Sequence, residues 1–484
     1  MAEHATRVAT GRLRDGAALP GARCALAELH DTLQRTLPWT LADDAPPNAQ
    51  ERESLLTMSH EKRTTRPSPS ERLRVIEAAA RLLQSGNLLH RIAEDERLDG
   101  RRITLDGRQL VNFGSCSYLG LETDNRLKVA ACEAVLRYGT QFSSSRTYVS
   151  APLYREFEEL MSALVGGHPV VITPTTSLGH LAALPVLISE RDAVLYDVNV
   201  HNSVQTVLPS LRHDGVLCEP VSHNRLDRVE ERVSELSRTH ERVFYLCDGV
   251  YSMQGDLVDA SALHAMLDRQ PRMWAYVDDA HGVGWAGKHG AGVVLGKTGI
   301  HERMVVAFGW SKAGAAGGAV LVFPNAELSR TVASCGSTMI FSGPMQPAQL
   351  GAGIASARIF LSDELPGMQE EIQARIAVFD AEAVRNGLPF RVRASSPIRF
   401  VETGSEDGAI ALASQLQRAG YFVNAAVCPA VPRGRAGIRM MLTRQQTLDD
   451  VRGLVLEIAN RLSQRTPARV SEAPVARVSE MPHA

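Results

Sequence analysis

Runs of apolar residues alternate with segments of helical, amphipathic pattern through the middle of the chain. The apolar runs predict buried strands at 170–173, 193–196, 216–220, 243–247, 273–277, 304–307 and 319–323. Strands that are buried on both faces and separated by helices form a mainly parallel sheet, which helices cover on both sides. We therefore predict an α/β domain that binds its ligands at the carboxyl ends of these strands.

The pattern divides the chain into four predicted parts. They are an N-terminal extension with its linker, a large domain preceded by a helical segment, a smaller α+β domain, and a tail, at residues 1–70, 71–340, 341–463 and 464–484. The helix before the large domain is expected at 70–90. In the smaller domain we expect strands near 397–401, 422–426 and 437–442 and a final helix at 448–462.

Both ends of the chain carry little core-forming sequence. The extension has one predicted helix, 25–37, followed by a polar stretch with prolines that is typical of a linker. The tail contains a short repeat, Ala468–Val475 followed by Ala476–His483. Because the repeat has few large apolar residues, we predict that the tail is disordered. A docking segment for a partner protein is the alternative.

Charge and cysteine usage exclude several classes of function. The formal net charge of −2 gives no reason to expect nucleic acid or an anionic membrane as a partner. The 7 cysteines are scattered without a C-x-x-C pair, which argues against a disulfide framework or a zinc site. No apolar stretch approaches the roughly 20 residues of a membrane span, and the first residues lack an apolar signal core. We predict a cytoplasmic protein without a bound metal.

Lys312 is the first candidate for chemistry. It follows the predicted strand 304–307 and precedes a run of small residues, 314–318, which cannot shield its amine. A lysine at the edge of a core is well placed to attack a carbonyl and form a Schiff base. Taken alone the pattern is weak, because most lysines that follow a strand are simply solvated.

Asp278 strengthens the interpretation of Lys312. It ends the apolar stretch Met273–Asp278, and His281 follows three residues later. Pyridoxal phosphate requires a carboxylate that keeps its pyridine nitrogen protonated and a lysine that holds its aldehyde carbon and moves protons. His281 is placed to reach the phenolic oxygen of the ring. The segment Asp278–His281 alone would more simply cap a helix, but together with Lys312 it predicts a pyridoxal phosphate site.

Thr175, Thr176 and Ser177 provide a candidate phosphate cradle. They follow the predicted strand 170–173 and open a predicted helix, 178–187. Backbone N–H groups at a helix start, together with hydroxyl groups, bind phosphate. An ordinary helix cap is the alternative for these residues.

Further blocks of sequence follow one another in a fixed order between about residues 105 and 462. They are Asn112–Leu121, Ser145–Arg146, His201–Ser203, Asp248–Asp256, Val277–His281, Ser311–Ala313 and Gly437–Arg439. Each block is weak by itself, but the ordered set resembles the α-oxoamine synthases, a family that includes 8-amino-7-oxononanoate synthase, 5-aminolevulinate synthase and serine palmitoyltransferase. The resemblance implies pyridoxal phosphate fold type I, an architecture like that of aspartate aminotransferase.

The resemblance implies roles for the matched residues at the cofactor. Lys312 would carry the cofactor, Asp278 would pair with its pyridine nitrogen, and His201 would stack on its ring. His281 and Ser252 would lie near the phenolic oxygen. The phosphate would be held by Thr175, Thr176, Ser177, Ser311 and Ser342. Because the family places the residue matching Ser342 on the neighbouring subunit's phosphate, the resemblance also implies a homodimer.

Substrate residues follow from the same comparison. Arg439 matches the arginine that grips the carboxylate of the amino acid, and a guanidinium suits that fork geometry. Cys116, Ser145 and Arg146 are the other predicted substrate residues. The predicted catalytic residues are Lys312, His201, Asp278 and His281.

Several positions depart from the family pattern. Cys116 stands where the family usually has Asn, and Tyr154 where it has His. Thr176 replaces a usual Gly, whereas Gly309 replaces a usual Thr. The remaining departures are Gln141–Ser144 in place of a glycine-rich run, and Gly343 after Ser342. We infer that the cofactor chemistry is retained while substrate recognition is altered.

The implied reaction joins an α-amino acid to an acyl thioester and releases carbon dioxide, giving an α-amino ketone. The acyl donor would be coenzyme A or an acyl carrier protein. The departures and the terminal segments favour specialised metabolism over 8-amino-7-oxononanoate synthase activity in biotin synthesis. The rival predictions are an aminotransferase or aldolase of the same fold type, a subunit without activity, which Lys312 argues against, and a protein-binding scaffold.

Overall fold

The computed structural model describes residues 69–142, 144–389 and 395–464. The predicted helix 25–37, the linker and the repeat-containing tail lie outside these ranges. The strands are β1 Arg102–Leu105, β2 Arg108–Asn112, β3 Val170–Thr173, β4 Ala193–Asp197, β5 Leu217–Val221, β6 Val243–Asp248, β7 Met273–Asp278, β8 Met304–Gly309, β9 Ala319–Val322, β10 Ile398–Glu402, β11 Tyr421–Phe422, β12 Asn424–Ala426 and β13 Gly437–Met441.

Helices occupy the intervals between these strands. They are α1 Pro69–Ser85, α2 Asn125–Tyr138, α3 Leu153–Leu164, α4 Thr176–Leu187, α5 Asn202–Gln205, α6 Leu208–His213, α7 Leu226–Leu236, α8 Ala260–Arg269, α9 Val293–Thr298, α10 Ala326–Cys335, α11 Ser337–Ile340, α12 Pro347–Phe360, α13 Glu364–Arg385, α14 Glu406–Arg418 and α15 Leu448–Ser463. Among the described helices, none combines the length and apolarity needed to cross a membrane.

The largest sheet has 7 strands in the order β3-β9-β8-β7-β6-β4-β5. Neighbouring strands from β8 to β5 are parallel, and β9 runs antiparallel to both β8 and β3. The mainly parallel α/β fold is thus confirmed. Alternate residues of each strand enter two apolar clusters on opposite faces: Val277 and Ala275 belong to one, and Tyr276 belongs to the other. Helix α4 packs its apolar residues on the Tyr276 face.

The parallel strands bring the candidate residues to one edge of this sheet. Asp248 and Asp278 end β6 and β7 and are direct neighbours in the register. His201 follows β4 and Lys312 follows β8 by a few residues. Since parallel strands all present their carboxyl ends at the same edge, these side chains meet there.

The C-terminal segment builds a second, three-stranded antiparallel sheet, β10-β13-β12. The N-terminal segment joins this part of the molecule, because β2 pairs with β11 and the helix α1 packs Ala79 and Leu83 against Ala409. Arg439 lies on the central strand, β13, directly opposite Phe400. The domain boundary at residue 340 stays a prediction.

Candidate active site

A cavity of about 400 Å³ opens at the carboxyl ends of β4, β6, β7 and β8. It brings together most of the residues predicted at the cofactor. Its lining includes Thr175, Thr176, Ser177, His201, Asp278, His281, Ser311 and Lys312, together with Asp248, Ser203 and Gln349. Segments that are far apart in the chain, from Thr175 to Lys312, therefore line a single cavity.

Asp278 is buried at the floor of this cavity. Its Oδ2 lies 3.1 Å from His180 Nε2, and its Oδ1 accepts a hydrogen bond from the Ala280 N–H at 3.1 Å. Burial by itself raises the pKa of the Asp278 carboxyl, but the hydrogen bond from His180 and the charge of Lys312 hold it below its ordinary value. Asp278 is therefore a carboxylate at neutral pH, as a partner for a pyridine N–H must be.

Lys312 is half-buried at the opposite side of the cavity lining, within electrostatic reach of Asp278. No ion pair fixes its amine among the residues that the structure describes. The amine is thus free to bond to a carbonyl carbon placed between Lys312 and the strand ends.

The helix α4 supplies the predicted phosphate cradle. Thr175 caps this helix, its hydroxyl accepting a hydrogen bond from the Leu178 N–H at 3.2 Å. The ordinary capping role considered for Thr175 is therefore present. Thr176, Ser177 and Ser311 line the same end of the cavity. A helix N-terminus surrounded by hydroxyl groups suits a dianionic phosphate.

Two departures from the family pattern, Thr176 and Gly309, face each other across this cradle. A Cβ atom placed on Gly309 would lie 2.9 Å from the Thr176 Oγ1. The Thr176 side chain is held in few rotamers because it is β-branched and helical. The Thr176 hydroxyl thus lies in the space that a side chain at 309 would need, so the two departures are neighbours in the structure.

His201 and Asp248 form the rim beside β4 and β6. The backbone N–H of His201 donates to Asp248 Oδ1 at 3.0 Å, and the His201 Nδ1 lies 2.7 Å from the Ser203 hydroxyl. Burial and the adjacent Asp278 carboxylate hold the pKa of Asp248 well above its ordinary value. Asp248 therefore holds a proton more readily than an ordinary carboxyl, and it positions His201 through this hydrogen bond.

His281 is oriented by Tyr118, a residue of the Asn112–Leu121 block. The Tyr118 hydroxyl lies 2.7 Å from His281 Nδ1. Burial holds the pKa of Tyr118 well above its ordinary value, so the hydroxyl keeps its proton, and Cys116 is a second hydrogen-bond partner for it. Burial, followed by the charges of Lys312 and Arg439, holds the pKa of His281 well below its ordinary value. His281 is therefore neutral.

Arg439 is buried on β13. Its Nε donates to the Ser252 carbonyl oxygen at 2.6 Å, and its Nη2 lies 3.8 Å from the Cys116 Sγ. No ion pair among the described residues includes Arg439. By contrast, the equally buried Arg399 on the neighbouring strand is paired with both oxygens of Asp380, at 2.9 and 3.0 Å. A buried guanidinium without an anion is a site for one.

The remaining predicted residues lie outside the cavity lining. Ser252 contributes its carbonyl oxygen to Arg439. Ser145 donates to the Ile340 carbonyl oxygen at 2.8 Å. Arg146 is engaged by Glu158 at 2.8 Å and lies 3.8 Å above the Tyr154 ring. Ser342 is half-buried away from the cavity lining. The predicted roles of Ser145, Arg146 and Ser342 stay predictions.

Sequence reasoning missed His180, which is fully buried against Asp278, and its partner Tyr276. His180 stands inside an apolar helix and Tyr276 inside an apolar strand, so neither belongs to a recognisable block. The available signal was the histidine itself, a polar group in a helix without a polar face.

The comparison with known proteins agrees with this geometry. The family model for aminotransferase class I and II matches residues 108–451. An 8-amino-7-oxononanoate synthase of Anaeromyxobacter sp. is 30% identical over 380 residues, which cover 77% of this chain and 92% of that protein. A serine palmitoyltransferase of Sphingobacterium spiritivorum is 28% identical over 353 residues, covering 72% and 86%.

Solved structures give the same fold. The serine palmitoyltransferase from S. paucimobilis superposes with a TM-score of 0.73 at 20% identity, covering 82% of this chain and all of that chain. The 8-amino-7-oxononanoate synthase from Francisella tularensis gives a TM-score of 0.63 at 19% identity, covering 73% of this chain and 98% of the other. The chain therefore belongs to the aminotransferase class I and II family and, as its sequence blocks predicted, to the pyridoxal phosphate-dependent α-oxoamine synthases.

Proposed function

We propose that this enzyme condenses an α-amino acid with an acyl thioester. The amino acid carboxylate leaves as carbon dioxide, the thiol of the donor is released, and the product is an α-amino ketone. The observation that carries this proposal is Arg439, a buried guanidinium with no carboxylate partner among the described residues. It lies close enough to His281 for its charge to act on that ring.

The residues of the cavity fit pyridoxal phosphate. Asp278 offers a carboxylate for the pyridine N–H, Lys312 an amine for the aldehyde, and Thr176, Ser177 and Ser311 hydroxyl groups for the phosphate. The cofactor would supply an electron sink for the negative charge that develops on the amino acid Cα. Gly309 leaves the phosphate end open, since a Cβ there would meet the Thr176 hydroxyl at 2.9 Å.

The protein's own residues then orient and move protons. Arg439 binds the substrate carboxylate through its free nitrogen, which places the Cα proton relative to Lys312. The Lys312 amine removes that proton and returns one later. In the tautomer that carries its proton on Nε2, the neutral His281 donates a hydrogen bond to the thioester oxygen as charge develops there.

The proposal is tested by following two products in parallel. The purified enzyme is incubated with single α-amino acids, labelled at the carboxyl carbon, and with acyl thioesters of graded chain length. We expect thiol and labelled carbon dioxide to be released in equal amounts with one amino acid. Labelled keto acid without thiol release would identify an aminotransferase instead, and the absence of both products with the whole panel would contradict the proposal.

We also propose a homodimer. The hydrogen bond from Ser145 to the Ile340 carbonyl brings two loops together, and both carry apolar residues that face solvent. Tyr148 is 84% exposed and Phe341 is 86% exposed. We propose that these exposed side chains lie in the subunit interface. Ser342 follows Phe341 directly, so a second subunit covering this surface would receive Ser342 near its own site. Sedimentation that gives an active monomer would contradict the dimer.

A second candidate activity is that of 8-amino-7-oxononanoate synthase, which the relative that is 30% identical favours. The name of that product divides into an alanine-derived end and a seven-carbon acyl chain with a terminal carboxylate. Turnover confined to alanine and such a donor would identify this activity. Any other pair would favour our proposal of specialised metabolism, which rests on the departures at Cys116 and Gln141–Ser144. An acyl carrier protein as donor and a cytoplasmic location belong to the same proposal.

A further inference from the structure

Helix α4 has a second function besides its N-terminal cradle. His180 lies one turn beyond Thr176, and Gly179 lets this part of the helix approach the sheet closely: a Cβ there would lie 3.0 Å from Thr173 Oγ1. The imidazole of His180 is consequently completely buried over the face of β7 that carries Tyr276 and Asp278. The two strand residues share that face because side chains alternate along a strand.

The hydrogen bonds of His180 form a short chain. The Tyr276 hydroxyl lies 2.8 Å from His180 Nδ1, and His180 Nε2 lies 3.1 Å from Asp278 Oδ2. Tyr276 and His180 rings meet edge to face, with centroids 5.6 Å apart. All three side chains are buried, so water does not compete for these bonds.

The direction of the chain follows from the tyrosine. Burial holds the pKa of Tyr276 well above its ordinary value, so the hydroxyl keeps its proton. Among the described residues His180 is the partner found for that hydroxyl, and the proton therefore points at Nδ1. The imidazole must then carry its own proton on Nε2, which donates to Asp278.

We propose that Tyr276 and His180 are positioning residues that hold Asp278 as an oriented carboxylate for the pyridine nitrogen of the cofactor. The inference rests on the proposed contact between Asp278 and the pyridine nitrogen. As a hydrogen-bond donor, His180 occupies Oδ2 and fixes the orientation of the carboxylate. The Ala280 N–H occupies one lone pair of Oδ1 at 3.1 Å, which leaves Oδ1 to face the ring nitrogen.

The other charged and titratable groups around Asp278 do not replace His180. Lys312 reaches it from the loop after β8, His201 from the loop after β4, and Asp248 from the end of β6. Lys312 acts on Asp278 only through its charge, and in the proposed site its amine is bonded to the cofactor. Asp248 is an acceptor whose Oδ1 is already occupied by the His201 N–H. Removing His180 therefore leaves Oδ2 buried and without a donor.

The experiment reads the protonation of the cofactor directly. The enzyme is loaded with pyridoxal phosphate labelled with ¹⁵N in the ring, and the nitrogen resonance is followed with pH without substrate. In His180→Leu we expect the ring nitrogen to lose its proton at a pH at least one unit lower than in the parent enzyme. Cofactor binding should weaken by roughly 10-fold or more, the loss expected for one charge-assisted hydrogen bond. His180→Gln, which retains an N–H donor, should recover most of the shift.

Two further variants make the result decisive. Leu184→Ala, one turn farther along α4, destabilises the same cluster without touching Asp278 and should leave the titration unchanged. Tyr276→Phe should shift the titration of the ring nitrogen in the same direction as His180→Leu, but by less. If His180→Leu does not fold, Tyr276→Phe replaces it in the test. If Asp278→Asn shifts the titration while His180→Leu and Tyr276→Phe both leave it unchanged, the positioning role of Tyr276 and His180 is overturned. If Asp278→Asn leaves it unchanged too, the proposed contact with the ring is wrong instead.

Discussion

At the Asp278 end of the cavity, the side chains come from neighbouring parallel strands and from the helix that covers them. Around Arg439, which lies outside the cavity lining, the contacting groups come from β13, from the loop after β2 and from the loop after β6. Asp278 has hydrogen-bond donors on both of its oxygens, whereas Arg439 has no carboxylate partner among the described residues. The protein itself orients the charge at the first end, and we propose that a ligand pairs with the charge at the second.

This difference implies a different function for each end. A charge that is fully oriented by the protein contributes to catalysis in every turnover, because no reorganisation is needed when the ligand arrives. A charge left without a partner selects which ligand enters, since it stays costly until an anion of the right shape pairs with it. We therefore expect variants at the Asp278 end to change kcat and variants at the Arg439 end to change KM.

The largest effect is expected at Lys312. Lys312→Ala removes the amine that holds the cofactor and moves protons, so kcat should fall by roughly 10⁴-fold or more, the upper range for loss of a general base. The visible absorbance of the lysine-bound cofactor should disappear as well. Lys312→Arg is the control, because it retains the positive charge near Asp278 but cannot form the Schiff base. Full turnover by either variant would show that this end of the cavity has been misassigned.

Arg439 and Arg399 form a matched pair on adjacent strands. Arg439→Lys should raise the KM for the amino acid by roughly 10–100-fold, because the second charge-assisted hydrogen bond to a carboxylate contributes ~1.5–3 kcal/mol. The stability of the enzyme should change little. Arg399→Lys should instead lower the free energy of unfolding, since it breaks the two-bond contact with Asp380, and should leave KM unchanged. If both variants behave alike, Arg439 is a structural residue.

The Asp278 end of the site was predictable from the sequence because its residues belong to short, recognisable blocks. Asp278 and Lys312 each lie within a few residues of a strand end, and the parallel sheet then fixes that they meet. His180 and Tyr276 were not predictable in the same way, because they come together only when α4 packs on β7. In the structure, Arg146 is hydrogen-bonded to Glu158 and lies over the Tyr154 ring. The spacing of these residues along the chain does not indicate either contact.

Thr176 and Gly309 face each other at the phosphate end, and a double-mutant test of this pair should show effects of intermediate size. Thr176→Gly should weaken binding of pyridoxal phosphate by roughly 10-fold, as expected for one hydrogen bond to a charged group. Gly309→Thr should also weaken it, because its Cβ would lie 2.9 Å from the Thr176 hydroxyl. The double variant Thr176→Gly/Gly309→Thr should bind nearly as well as the parent enzyme. Additive losses in a binding titration would mean that the two positions do not share one hydroxyl site.

The smallest effect is expected at His223, which holds together the loops that lead to His201 and to Ser252. Its Nδ1 lies 3.0 Å from Asp197, its Nε2 lies 2.6 Å from Asp256, and the Tyr251 hydroxyl donates to Asp197 at 2.8 Å. Burial lowers the pKa of His223, but the hydrogen bonds and charges of the two carboxylates outweigh it and raise the pKa to about 9.

Because this pKa is higher in the folded state, the resulting stability is complete below about pH 6.5 and is lost as the pH rises through about 9. The His223 side chain is 26% exposed, so we expect ~1–2 kcal/mol rather than the full value of the shift. Urea unfolding between pH 6.5 and 10 should reveal this loss in the parent enzyme but not in His223→Gln. His301→Gln is the matched control: burial lowers the pKa of His301, which places its titration on the acid side. If the loss of stability at alkaline pH persists in His223→Gln, another group causes it. The contacts of His223 then do not stabilise the loops that lead to His201 and to Ser252 in this way.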